Sequence, residues 1–107
     1  MCWVPELLES IYLVCLQHEL TLRGLRFLMQ QPVPVVYKTM QLKGMYRIDL
    51  IVEDVVVVEL KTVDALTPVH RAQMLTYLKL SNCQAGLLIN FNVTRLMDGV
   101  KRVLNDR

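Results

Sequence analysis

Hydrophobic and polar positions change their rhythm several times along this chain, and each change marks an element. Leu7, Leu8, Ile11, Val14 and Cys15 fall on one arc at about 3.6 residues per turn, with Glu6, Glu9, Ser10 and Gln17 on the other side. This predicts a helix from about Pro5 to Met29 with that arc, and His18 on it, turned to a core. Pro5 suits the first turn, Gly24 weakens the helix or marks its end, and "QQPVP" breaks the pattern. Three strands are then predicted: "VPVVYK" (33–38), where Pro34 argues for an edge position, "MYRIDLIV" (45–52) and "VVVVELK" (55–61). Glu53-Asp54 joins the last two as a hairpin. Thr67 followed by Pro68 reads as the start of a second helix that runs to about Leu80. "AGLLINF" (85–91) is a fourth buried strand, and Thr94 to about Leu104 reads as a short helix with Leu96, Val100, Val103 and Leu104 inside. The order α-β-β-β-α-β-α is that of an α/β fold with a four-stranded mixed sheet flanked by helices.

Composition narrows the class of protein. The 107 residues suit one domain, residues 1–107, and 53% of them are hydrophobic, with a mean hydropathy of +0.33. No apolar run approaches the roughly 20 residues of a membrane span, and the first residues lack the basic start of a signal peptide. Cys2, Cys15 and Cys83 are an odd set without C-x-x-C spacing, which fits reduced thiols in a cytoplasmic protein. The net charge of +2 permits a nucleic-acid partner without demanding one. Arg23, Arg26, Lys38, Lys43 and Arg47 would touch phosphates if they shared a face, and otherwise form a solvated set.

The candidate chemistry lies at the end of the most apolar strand. After Val55–Val58 come Glu59 and Lys61, which point to one side because strand side chains alternate. A turn at 53–54 sets Asp49 opposite residue 58 or 59, so Asp49 and Glu59 converge. Two neighbouring carboxylates resist joint ionisation unless a cation lies between them, and a hard divalent ion takes such oxygen ligands. Lys61 would then hold or activate a water beside the ion. A structural ion network of the same three residues is the other reading of the pattern. On the second helix His70, Gln73 and Tyr77 form a polar stripe, flanked by Val69, Met74 and Leu80, on what should be the packing face. They either bond backbone groups or line a cleft. Glu9 lies on the polar side of the first helix, one turn from Tyr12.

Asp49 followed by Glu59-x-Lys61 resembles the core motif of the PD-(D/E)xK nuclease superfamily, and "QMLTY" (73–77) resembles the Q-x-x-x-Y motif on the following helix in RecB-type members. Within that superfamily the chain resembles the GxxExxY family through "LLESIYLVCLQHEL" (7–20), residues 46–80 and "GLLINFNV" (86–93). The resemblance implies a restriction-endonuclease-like core that hydrolyses phosphodiester bonds, in DNA, with Mg2+ or Mn2+. It implies that Asp49, Glu59 and the backbone carbonyl of Leu60 hold the metal, with Glu9 reaching it through water. Lys61 would orient or activate the attacking water, with Gln73 and Tyr77 near the site. Two features depart from the family: Glu6 stands where its leading glycine falls, and a helix that usually precedes this point is absent. The uncovered apolar surface then implies a homodimer. The alternative is a catalytically silent module that keeps the fold and binds nucleic acid or protein.

Overall fold

The computed structural model describes residues 5–33, 35–37, 40–42, 47–93 and 95–105. In chain order the elements are α1 (Pro5–Leu22), β1 (Phe27–Pro32), β2 (Val35–Tyr37), β3 (Met40–Leu42), β4 (Arg47–Val52), β5 (Val56–Lys61), α2 (Pro68–Ser81), β6 (Ala85–Asn90), a 3-10 turn (Leu96–Gly99) and β7 (Val100–Leu104). Five strands form the main sheet in the order β1-β4-β5-β6-β7, while β2 and β3 pair separately as a hairpin. All neighbours are antiparallel except β5 and β6, which run parallel with α2 as their crossover. This is a mixed α/β sheet flanked by helices, of restriction-endonuclease-like form.

The sheet has two covered faces. Under α1, Leu13 and Leu20 pack with Leu50, Val58 and Leu60, and Tyr12, Leu16, Phe27 and Met29 extend the cluster. Under α2, Met74, Tyr77 and Leu78 pack with Ile48, Ile51, Val57, Leu88 and Val103. The valine run therefore divides its side chains between two cores, which is why it needs no polar alternation. Gly86 lets α2 approach β6 closely, since a Cβ there would collide with the Met74 sulfur.

Several elements differ from those the pattern predicts. The sheet has five strands, not four. The predicted first helix ends at Leu22, and Phe27–Pro32, read as its tail and the break after it, is edge strand β1, paired along β4 from Phe27↔Val52 to Pro32↔Arg47. Gly24, at φ +70, makes the turn between them. The predicted strand 33–38 contributes only Val35–Tyr37, in the separate hairpin; Pro34, Lys38, Lys43 and Thr94 lie outside the described residues. The predicted terminal helix is a 3-10 turn followed by β7, because the last valines and leucines find a free edge of β6 to pair with. Gly99 permits the change of direction, since a Cβ there would collide with the Asn90 carbonyl.

The helix faces also differ. On α1 the expected inner arc faces outward: Ile11 and Val14 are 47% and 62% exposed, and Cys15 and His18 are exposed too. With apolar side chains on nearly all sides, the helix leaves its inner face undecided until a sheet is present. The arc through Tyr12, Leu13, Leu16 and Leu20 docks. The side chains of Cys2, Trp3, Glu6, Leu7 and Leu8 lie outside the description. On α2, Val69 and Leu80, expected to flank the packing face, are exposed, and Leu75 packs against the core.

Candidate active site

The β4–β5 hairpin creates the site. Glu53 and Asp54 both take left-handed conformations, φ 53° and 58°, and Val55 N–H closes the turn on Val52 O at 3.0 Å. Pairing then runs Val52↔Val56, Ile51↔Val57, Leu50↔Val58. Continued one step, this register sets Asp49 opposite Glu59, but there the ladder stops and side chains take its place. Asp49 N–H donates to Glu59 Oε1 at 2.8 Å, and Leu60 N–H donates to Asp49 Oδ2 at 2.9 Å. Each carboxylate thus accepts a main-chain N–H of the other strand.

Asp49 is irregular on its other side as well. The β1–β4 pairs run Met29↔Leu50 and then Gln31↔Ile48, leaving Gln30 and Asp49 unpaired between them. Gln30 has φ 51°. The alternation of side chains reverses at this point. Ile48 stands two residues from Leu50 and should share its face, yet Leu50 packs under α1 and Ile48 under α2. Met29 and Val33 divide in the same way. Asp49 sits at the node of this twist, where β4 leaves the β5 ladder and skips one pair of the β1 ladder.

Around the node, Glu9, Ser10, Leu13, Gln30, Asp49 and Leu60 line a cleft of about 200 Å³. Glu9 accepts a hydrogen bond from Thr62 Oγ1 at 3.1 Å, just past the end of β5. Stacking of Tyr12 on Phe91, 3.8 Å between ring centroids, fixes this part of α1 over the sheet end. Glu59 is only 5% exposed. Burial, and next the charge of Asp49, push its carboxyl up to about 8, against the pull of the Asp49 N–H and the Lys61 ammonium. Asp49 is also raised, by burial first, with the Leu60 N–H and Lys61 opposing. Lys61 acts on both acids through its charge without a contact ion pair: among the described residues the ion pairs are Glu19–Arg23, Arg26–Glu53 and Arg95–Asp98.

The remaining predicted residues lie on α2 and in the basic set. Tyr77 is buried in the α2 core with Val57 and Ile48, and Gln73 is half-buried one turn before it. Among the described residues no hydrogen bond joins Gln73 to the carboxylates. His70 Nδ1 accepts the Thr67 N–H at 3.0 Å, so this histidine caps α2. Of the basic set, Arg23 and Arg26 are paired on the surface, and Arg47 is exposed at the start of β4.

Two structural contributors escaped the pattern. Asn90 is 3% exposed; its Oδ1 accepts Val63 N–H and Asn92 N–H, both at 3.1 Å, and its Nδ2 donates to Val63 O at 2.9 Å. With Phe91 N–H on Lys61 O at 2.8 Å, this clamp fixes the chain on both sides of Thr62. A lone asparagine inside "AGLLINF" was the available signal. Gln30 had none, because a left-handed residue inside a strand leaves no local signature.

The donor set fits a hard cation in kind. It offers two carboxylates on adjacent strands and a main-chain carbonyl between Glu59 and Lys61, all oxygen. Among the described residues, no three of His, Cys, Asp and Glu gather closely enough to form a complete protein cage. Such a site suits an ion that keeps several waters.

Paired acids and a lysine at the carboxyl end of a parallel β5–β6 pair, in a mixed sheet between two helices, define an α/β domain of the restriction-endonuclease type. The sequence matches the family model of the PD-(D/E)XK nuclease superfamily over residues 3–103, and the chain belongs to that superfamily. Nucleases of that superfamily generally use divalent metals. The crystal structure of SSO0001 superimposes with a TM-score of 0.67 at 20% identity, over 94% of this chain and 51% of that one. The likeness extends to the fold, and the chain spans about half the length of that protein. No curated protein matches the sequence. Among the described residues no helix is long and apolar enough to cross a membrane.

Proposed function

We propose that residues 1–107 form a single nuclease domain of the GxxExxY type that hydrolyses phosphodiester bonds in DNA with Mg2+ or Mn2+. The observation that carries this reading is the exchange of carboxylates between Asp49 and Glu59, with Lys61 two residues further on the same strand. Asp49, Glu59 and the Leu60 carbonyl would hold the ion, and Glu9 would reach it through water. A bound ion would supply Lewis-acid polarisation of the scissile phosphate and a more acidic water. Lys61 orients that water and stabilises the charge that develops on the phosphate. Gln73 and Tyr77 support the site from α2. The protein acts in the reducing cytoplasm, consistent with the free Cys15 and Cys83, and pairs as a homodimer through the exposed outer arc of α1.

A nuclease assay on single- and double-stranded DNA with Mg2+ or Mn2+, beside a Lys61→Ala control, tests the reading. Metal-dependent cleavage that the control loses supports it, and no cleavage by the wild type overturns it. The second reading, a silent module that keeps the fold and binds nucleic acid or protein, draws on the lack of a three-acid group around the described site. It predicts that metal does not stabilise the wild type and that Asp49→Asn raises its melting temperature.

A further inference from the structure

The cleft beside Asp49 is lined by two acids, two leucines and two uncharged polar side chains, Ser10 and Gln30. A phosphodiester carries only acceptors and a negative charge, so it enters such a cleft only where donors meet it. Ser10 already has an interaction of its own. The Gln30 carboxamide is therefore the cleft's amide donor. It is exposed, and no hydrogen bond engages it among the described residues.

Its backbone carries a second, independent observation. Gln30 holds φ 51°, a region that a side-chain-bearing residue rarely occupies inside a strand. The cost is retained where glycine would relieve it, and an outlier of this kind at a cleft is a reason to look for function. It lies at the register position opposite Asp49, between the pairs Met29↔Leu50 and Gln31↔Ile48, where both strands reverse their alternation. The kink and the acid form one feature, and it places the carboxamide on the cleft wall beside Asp49.

We infer that Gln30 is a substrate-contacting residue whose Nε2 donates to a phosphate oxygen of the nucleic-acid strand beside the carboxylates. The inference rests on the nuclease reading and adds to it a specific contact. Gln30 holds the strand in the ground state and the transition state alike, so its loss acts on KM and not on kcat.

Three variants test it in the full chain: Gln30→Ala removes the amide, Gln30→Gly removes it and relaxes the backbone, and Gln30→Glu replaces the donor with a charge. Steady-state cleavage of a labelled DNA duplex, binding of the same duplex in EDTA, calorimetric Mn2+ affinity and melting temperature are measured for each. Gln30→Ala should raise KM and the duplex Kd roughly 10-fold, the worth of one hydrogen bond to a charged group, and leave kcat and Mn2+ affinity unchanged. Gln30→Gly should show the same loss with a higher melting temperature, which separates the contact from the fold. Gln30→Glu should bind duplex more weakly than Gln30→Ala. Wild-type KM and duplex Kd in the Ala and Gly variants overturn the inference alone. A wild-type protein that neither binds nor cuts DNA overturns the nuclease reading and this inference together.

Discussion

At the scale of the residue, Asp49, Glu59 and Lys61 do separable things. Lys61→Ala should lower kcat by roughly 10²–10³-fold, the usual effect of removing one electrostatic group from a transition state. Mn2+ affinity by calorimetry should persist, because lysine is not a ligand. Asp49→Asn keeps an acceptor for the Leu60 N–H but should abolish metal binding and cleavage together. The same acids give the metal-free protein a pH dependence. Glu59 binds its proton more tightly folded than unfolded, its carboxyl moving from 4.5 to about 8. The stabilisation is therefore complete below pH about 4.5, declines as pH rises through this window and levels off above about 8, and the raised Asp49 adds in the same direction. Urea unfolding in EDTA should show stability falling by up to roughly 5 kcal/mol across that range. Glu59→Gln, which still accepts from Asp49 N–H, should flatten the curve; a wild-type curve that is already flat would contradict this account.

At the scale of the element, the end of β5 is held by β6. Asn90 meets both polar groups of the Val63 main chain and the Asn92 N–H from a position with almost no access to water. Asn90→Ala should cost roughly 2–3 kcal/mol, because it leaves main-chain groups without partners. Chemical denaturation measures this, and a loss below about 0.5 kcal/mol would mean that water replaces the clamp. Legibility divides at this scale too. The hairpin could be read because its turn and register are local: two adjacent polar residues fix the pairing, and the pairing fixes Asp49 against Glu59. The start of α2 was legible for the same reason, through Thr67 and Pro68. Strand β1 was not, since "FLMQQP" continues an apolar pattern compatible with a helix and becomes a strand only beside β4.

At the scale of the whole molecule, one surface stands out. Ile11, Val14 and Leu22 expose 47%, 62% and 68% of their area on the outer arc of α1, away from the core made by Leu13 and Leu20. If a second copy covers this arc, light scattering at high concentration should report a dimer, and Val14→Lys with Ile11→Lys should convert it to a monomer without lowering the melting temperature of the fold. A wild-type monomer at every concentration would remove the dimer from the functional reading. The site lies at the opposite, sheet-facing side of the helix, where Glu9 meets Thr62, so these substitutions should leave duplex binding per protomer unchanged.

By itself the sequence determined what short-range physics controls: the valine strand, the hairpin, the capped second helix, and the D-x9-E-x-K spacing that brings two acids together beside a lysine. The tertiary structure decided what depends on partners distant in the chain. A helix apolar on nearly all sides acquires an inner face only when a sheet selects Tyr12, Leu13, Leu16 and Leu20. The terminal segment becomes β7 only because β6 offers an unpaired edge. Most important for function, the reversal of alternation at Gln30 and Asp49 sends Ile48 under α2 although Leu50, two residues on, packs under α1. A strand's two-residue period carries no record of such a reversal, because it is the competition between two cores that places it.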